Sequence, residues 1–281
     1  MFFLPFIDSH DEAADCTAIF AFRAFGVRIG VRTNETALLE HLTEAYPPLW
    51  QPLAFTDEPL RVDRIFTLRA TRSKFTLLGA DGFSVRSRRA AIEDLERRIK
   101  IYVAEMAPRR VFVHAGVVAW CDRAIVIPGS SYAGKTSLVA ALVKAGATYY
   151  SDEYAVFDLQ GRVNAYPQPL AIRKPDSGSS RQYNTPAAKL GGVTGTKPLP
   201  VGLVFVSQYQ AEARWRLTPL SAGQTTLELF AHTVPARRKP AVVLPTLSKV
   251  AAQASAYKCK RGEADATAAR VLHLLEDSPH N

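Results

Sequence analysis

The chain has 281 residues, 47% hydrophobic and 22% charged, which excludes a disordered polypeptide and allows the core of one large or two modest domains. No apolar run approaches the roughly 20 residues of a membrane span, and the opening MFFLPFI is short and lacks a basic start, so a soluble, cytoplasmic protein is expected. Cys16, Cys121 and Cys259 are far apart and form no CxxC pair, which argues against a disulfide framework or a zinc cage, while the net charge of +9 leaves an acidic partner open.

TAIFAFRAFGVRIGV (17–31) is rich in β-branched and aromatic residues and predicts a strand pair. ETALLEHLTEAY (35–46) spaces its leucines as a short helix, which Pro47 and Pro48 stop. The alternation from RVDRIFTLRA through KFTLLGADGFSVRS predicts an antiparallel meander with a turn at 80–82. In RAAIEDLERRIKIYVAEMA, Ile92, Leu95, Ile99, Tyr102 and Met106 recur at three or four and predict one apolar helix face. Residues 61–123 hold 14 Lys or Arg against 7 Asp or Glu, so +7 of the charge lies there. Such a face attracts phosphate, nucleic acid included, but the mixed signs of RRAAIEDLERRIK read as a solvated helix instead. Residues 1–107 are therefore expected to form a smaller α+β region that presents an acceptor or an interaction surface.

After Pro108 the pattern changes. RVFVHAGVVAWCDRAIVIPGSS is two apolar runs split by WCDR. If Cys121 and Asp122 form the turn of a hairpin, His114 falls opposite Gly129. Gly129, Ser130, Ser131, Tyr132, Ala133, Gly134, Lys135 and Thr136 match G-x-x-x-x-G-K-[ST], followed by Ser137. In that pattern small residues let backbone N–H groups turn inward around a phosphate, and the helix start adds its dipole. Lys135 would reach the β- and γ-phosphates of ATP, and the Thr136 hydroxyl would complete the coordination of magnesium. The context fits: RAIVIPG reads as a buried strand, and GKTSLVAALVKAG puts Leu138, Leu142 and Val143 on one helix face before Gly146.

Downstream, GATYYSDEYAVFD brings Asp152 and Glu153 to the end of a short strand. A nucleotide kinase needs carboxylates there, one for the metal and one for the proton of the attacking hydroxyl. The hairpin register would let His114 orient a carboxylate or touch a phosphate.

With VHAGVV, AIVIPGSSYAGKTSLVAALVKAGATYYSDEYAVF and VNAYPQPLAIR in place, residues 110–175 resemble the catalytic domain of the HPr kinase/phosphorylase family. Its relatives include kinases of the C-terminal serine of lasso peptides and of free serine. More distantly, the stretch is similar to ATP-dependent phosphoenolpyruvate carboxykinase. The resemblance implies an α/β fold for 108–281, a P-loop kinase domain with a mixed sheet and helices. It also implies ATP and Mg2+ as cofactors, γ-phosphoryl transfer to a hydroxyl, usually serine, and homo-oligomers. Position by position it makes Gly129 to Thr136 the phosphate loop, Asp152 the proton acceptor, Glu153 the metal-side acid and His114 the family histidine. Three departures count against phosphorolysis and against HPr as acceptor: Tyr132 stands where the bifunctional enzymes have glycine, the acids are Asp-Glu instead of Asp-Asp, and a second glycine-arginine signature is missing.

Arg173, in PLAIRKPD, is a candidate cation near the transferring phosphoryl, and equally an ordinary surface arginine. KPDSGSSRQYNTPAAKLGGVTGTKPLP (174–200) has no apolar period and reads as a long loop that closes over the acceptor. VGLVFVSQ and ARWRLTPLS predict strands, SAGQTTLELFAHT a helix, and GEADATAARVLHLLED a last amphipathic helix. Three functions remain open at this point: a serine kinase acting on a peptide or protein, a kinase of free serine or a similar metabolite, and a noncatalytic nucleotide-binding regulator.

Overall fold

The computed structural model describes residues 14–42, 46–53, 61–79, 82–130, 133–173 and 182–277, without the side chains of 40–42, 173 and 182. The chain divides into two compact units between Pro108 and Arg109.

In the first unit, β1 (Ala18–Ala24) and β2 (Val27–Thr33) form a hairpin, followed by α1 (Thr36–Leu42) and β3 (Gln51–Pro52). β4 (Arg64–Ala70) lies parallel to β2, and β5 (Phe75–Leu77) and β6 (Phe83–Val85) extend it as an antiparallel meander. The turn expected at 80–82 falls, at 80 and 81, outside the described residues. α2 (Arg88–Met106) completes the unit, its N-terminus capped by the Ser87 side chain accepting from the Ala90 N–H.

The buried stripe of α2 is Ala91, Leu95, Ile99, Val103 and Ala104. This corrects the expected face: Met106 is exposed and Ile92 and Tyr102 are half-buried. A helix has 3.6 residues per turn, so the small Ala91 and Ala104 can face the sheet where larger side chains do not fit. The basic residues of α2 pair along their own helix, Arg89 with Glu93, Arg97 and Arg98 with Asp94, and Lys100 with Glu96.

The second unit is an α/β structure around a mixed sheet. β7 (Val111–Trp120) and β8 (Arg123–Pro128) form a hairpin, and α3 (Lys135–Lys144) follows β8. β9 (Thr148–Ser151), β10 (Tyr154–Phe157), β11 (Val163–Asn164) and the two-stranded ribbon of β12 (Leu170–Arg173) and β13 (Gln182–Thr185) come next. Then follow β14 (Val201–Tyr209), β15 (Arg216–Pro219), α4 (Ala222–Ala231), α5 (Pro240–Gln253), β16 (Ser255–Arg261) and α6 (Ala264–Glu276). The sheet runs β11-β10-β7-β8-β14-β16-β15, with β9 beside the second half of β7. β8, β14 and β16 are parallel to one another, so their carboxyl ends emerge on one side.

The central strands are buried on both faces. Val118, Ile125, Ile127 and Phe205 pack with α3 and α6, while Val113, Val117, Val126 and Val204 pack with α4 and α5. This two-sided burial explains why β7 and β8 read as continuous apolar runs. The backbone of β7 comes close to α3 at Gly116, where an added Cβ would meet Val139 Cγ2 at 2.5 Å. Gly116→Ala is therefore expected to destabilise the protein by about 1–3 kcal/mol in denaturant unfolding, with the unfolding slope unchanged.

The stretch 174–200 is not one loop. Residues 174–181 lie outside the described residues, but from Gln182 the chain forms β13 and a 3-10 turn at Ala187–Leu190. It then lies against Tyr150, whose hydroxyl donates to the Lys197 carbonyl at 2.9 Å. The small residues that suggested a loop instead permit close packing: a Cβ at Gly192 or Gly195 would collide with Val143 or Tyr150. α5 and β16 had no sequence expectation. Pro240 at its first turn and Pro245 inside α5, and the polar alternation of SAYKCKR in β16, hide both elements from a periodicity reading.

Candidate functional site

The hairpin turn at Cys121 and Asp122 has both residues at positive φ, 48° and 55°. That is the twist a tight two-residue turn needs, and it fixes the register. Trp120 pairs with Arg123 and Ala115 with Pro128, which carries His114 opposite Gly129 as expected. The Gly129 N–H donates to the His114 carbonyl at 3.3 Å, and His114 Nδ1 lies 2.9 Å from the Gly129 carbonyl. A carbonyl only accepts, so Nδ1 carries the proton and Nε2 of the neutral ring is left as an acceptor. Burial first, and then the nearby Lys135 and His232, hold this imidazole below its usual pKa.

After β8 the chain passes through Gly129 and Ser130 to Ala133 and Gly134, then enters α3 at Lys135; Ser131 and Tyr132 lie outside the described residues. Gly134 has φ 79° at the helix N-cap, a conformation that side chains resist. Lys135 is only 7% exposed and donates to the Ser130 carbonyl at 2.8 Å. Burial pulls its ammonium down to about 8, against the attraction of Asp152 and Glu153. Thr136 is half-buried beside it, whereas Ser137 is exposed on the first helical turn.

The acids arrive from the other side of β7. That strand pairs with β10 up to His114 and with β9 from Val117, and the Asp152–Glu153 turn fills the switch between the two. The buried Ser151 hydroxyl accepts from the N–H groups of Glu153 (3.1 Å) and Tyr154 (2.9 Å), and Ala115 N–H donates to the Glu153 carbonyl. Serine side chains close turns this way, which gives the SDE sequence its shape.

Asp152 reaches the first turn of α3. Its carboxylate accepts from the Thr136 hydroxyl at 3.3 Å, from the Tyr149 hydroxyl at 3.1 Å and from the Ala171 N–H at 3.3 Å. Tyr149 has one proton to share, and its shorter bond of 2.7 Å goes to the Gln168 carbonyl. Burial raises the Asp152 pKa above the ordinary carboxylate value despite these donors.

The structure thus brings together His114 of β7, Gly129 just after β8, Lys135 and Thr136 of α3, and Asp152 and Glu153 of the β9–β10 turn. It does not bring Arg173 into view: its backbone ends β12 and its side chain lies outside the described residues. Two residues here had no sequence signal. His232, at the end of α4, accepts the His114 N–H at its carbonyl (2.8 Å), and its ring pKa is lowered by burial and by Lys135. Arg261, at the end of β16, donates from Nη2 to the Gly134 carbonyl at 2.7 Å.

The donor set suits a hard cation. Thr136 and Asp152 offer adjacent oxygens and Glu153 a second carboxylate, while no cluster of three His, Cys, Asp or Glu suited to a metal exists among the described residues. Magnesium keeps waters and phosphate oxygens and needs only one or two carboxylates, so this set fits it. The described cysteines are all free, and no described helix is long and apolar enough to cross a membrane.

No family model matches the chain and no curated protein matches it. Among solved structures, one described as the Hpr(Ser) kinase/phosphatase from Coxiella burnetii is similar over 59% of this chain and 94% of its own, at 11% identity and a TM-score of 0.32.

Proposed function

We propose that residues 108–281 form an ATP- and magnesium-dependent kinase domain of the HPr kinase-like type that phosphorylates a hydroxyl, and that the acceptor is a serine of a peptide or protein. The observation that carries this is the contact of Thr136 with Asp152, which joins the G-x-x-x-x-G-K-T stretch to the acidic turn at one helix N-terminus. A raised-pKa carboxylate and a buried lysine meet at the same place, the kind of pairing that clusters at functional sites.

In this reading Gly129 to Thr136 cradle the phosphates by backbone N–H groups, and Lys135 leaves the Ser130 carbonyl for a phosphate oxygen. Thr136 and one of the two acids, Asp152 or Glu153, would hold magnesium, which when bound supplies charge neutralisation on the β- and γ-phosphates, and the other acid is left to take the proton. The acceptor oxygen forms its bond to the γ-phosphorus as the bond to the β-bridging oxygen breaks. ADP leaves, and the hydroxyl proton passes to a carboxylate, for which the raised pKa of Asp152 is suited. His114, neutral and fixed by Gly129, offers Nε2 as an acceptor in the same space. The first unit would present the acceptor peptide, in the cytoplasm, and assembly into homo-oligomers rests on the family resemblance alone.

The test is phosphate transfer from γ-labelled ATP with magnesium to serine-containing peptides and, in parallel, to free serine. Transfer to peptides supports the proposal, and transfer to free serine alone replaces the acceptor class. ATP binding without transfer to any acceptor or to water makes the protein a regulator.

A further inference from the structure

The acids lie on the β7 side of β8, while β14 and β16 continue the sheet on the other side. If a γ-phosphate faces Asp152 and Glu153, the nucleoside end of the same molecule leaves toward the carboxyl ends of β14 and β16. Ligands of open α/β sheets occupy this edge as a rule.

Two side chains stand there. A Cβ on Gly134 would lie 2.6 Å from Arg261 Nη2 and 3.5 Å from Tyr209 Cβ, so both adjoin the entry to α3. Arg261 is 2% exposed, gives Nη2 to the Gly134 carbonyl and Nη1 to the Gly262 carbonyl (2.9 Å), and has no partner for Nε among the described residues. Its guanidinium lies over the Tyr209 ring, 5.6 Å from the centroid. The Tyr209 hydroxyl donates to Glu263 at 2.8 Å. The ring is thus backed by a buried cation and pinned at its tip, yet the residue remains 44% exposed. Arg261 lies against one face of this ring, which leaves the opposite face as the surface for the stacking proposed below.

We infer that Tyr209 is the platform on which the nucleobase of the bound nucleotide stacks, with Arg261 as the positioning residue that ties this platform to Gly134. The inference rests on the nucleotide reading above and adds where the base sits. A buried arginine is costly unless its hydrogen bonds and stacking offset the desolvation, and here it joins loop and ring. Stacking tolerates any base, so ATP and GTP should bind alike, and both should bind more tightly than a phosphate chain without a base.

The experiment is calorimetric titration of wild-type protein, Tyr209→Ala and Tyr209→Phe with magnesium ATP and with magnesium tripolyphosphate. Loss of base stacking should weaken ATP binding to Tyr209→Ala by about tenfold or more and leave tripolyphosphate within about twofold. Tyr209→Phe, which keeps the ring, should bind ATP nearly as wild type. If Tyr209→Ala weakens both ligands equally, or neither, the stacking assignment is wrong while the kinase reading stands. If wild-type protein binds neither ligand, the phosphate loop itself is refuted and the assignment falls with it.

Discussion

Asp152→Asn is expected to slow phosphoryl transfer by about 10²–10⁴-fold, the usual contribution of a positioned general base, with magnesium ATP binding kept within a few-fold. Two features of the site make this variant informative. Burial raises the carboxyl pKa, which makes the carboxylate a stronger proton acceptor than an exposed one. The Thr136 hydroxyl contact, on the other hand, puts the same carboxylate where a magnesium ligand would stand. The outcomes separate in a magnesium titration. A base loses turnover at every magnesium concentration, whereas a metal ligand demands more magnesium and loses ATP affinity as well. Glu153→Gln is the reciprocal variant and is expected to shift the magnesium requirement more than the saturated rate. A transfer rate for Asp152→Asn equal to wild type would refute the mechanism.

Lys135→Met is expected to stabilise the free protein while weakening ATP binding by about 10- to 100-fold, the scale of a lost hydrogen bond to a charged group. In the free fold the ammonium is buried and its pKa falls from the usual 10.5 to about 8. Below pH 8 the folded and unfolded chains both hold this proton, so the whole cost of burying the charge is present, at most roughly 3–4 kcal/mol. Between pH 8 and about 10.5 the unfolded chain holds more protons than the folded one, and that cost is relieved as pH rises. The advantage of Lys135→Met in equilibrium unfolding should therefore be largest at pH 7 and shrink steadily above pH 8. An advantage that did not change with pH would refute the assigned titration. Sites that bind anions commonly hold such unfavourable charge in the free state, because the ligand relieves it.

Much of this architecture is legible in the sequence alone. The Trp120–Arg123 turn dictated the His114–Gly129 register, because a two-residue hairpin leaves no slack in its pairing. The strand-loop-helix context of Gly129 to Thr136 and the acids at 152 and 153 followed from short-range pattern, since each is set by neighbours in sequence. Less accessible were elements whose identity depends on distant partners. β16 alternates Lys258, Cys259, Lys260 and Arg261 and carries little apolar signal, and it becomes a strand because β14 and β15 bond to it on both sides. The 174–200 stretch reads as a loop because its Gly, Ser, Thr and Pro residues show no apolar period, whereas Gly192 and Gly195 in the fold give room to Val143 and Tyr150.

The sequence by itself determined the reactive groups and their local frames: a lysine and a threonine at a helix start, an acidic turn closed by Ser151, and a histidine one hairpin register from a glycine. Only the tertiary structure decided that Asp152 touches Thr136, that Lys135 is buried enough to lose its ordinary basicity, and that Arg261 and Tyr209 stand beside Gly134. The reason is physical. Local pattern fixes backbone conformation over a few residues, while burial and contacts between remote strand ends exist only once the sheet has assembled, and those set the charge states on which the chemistry depends.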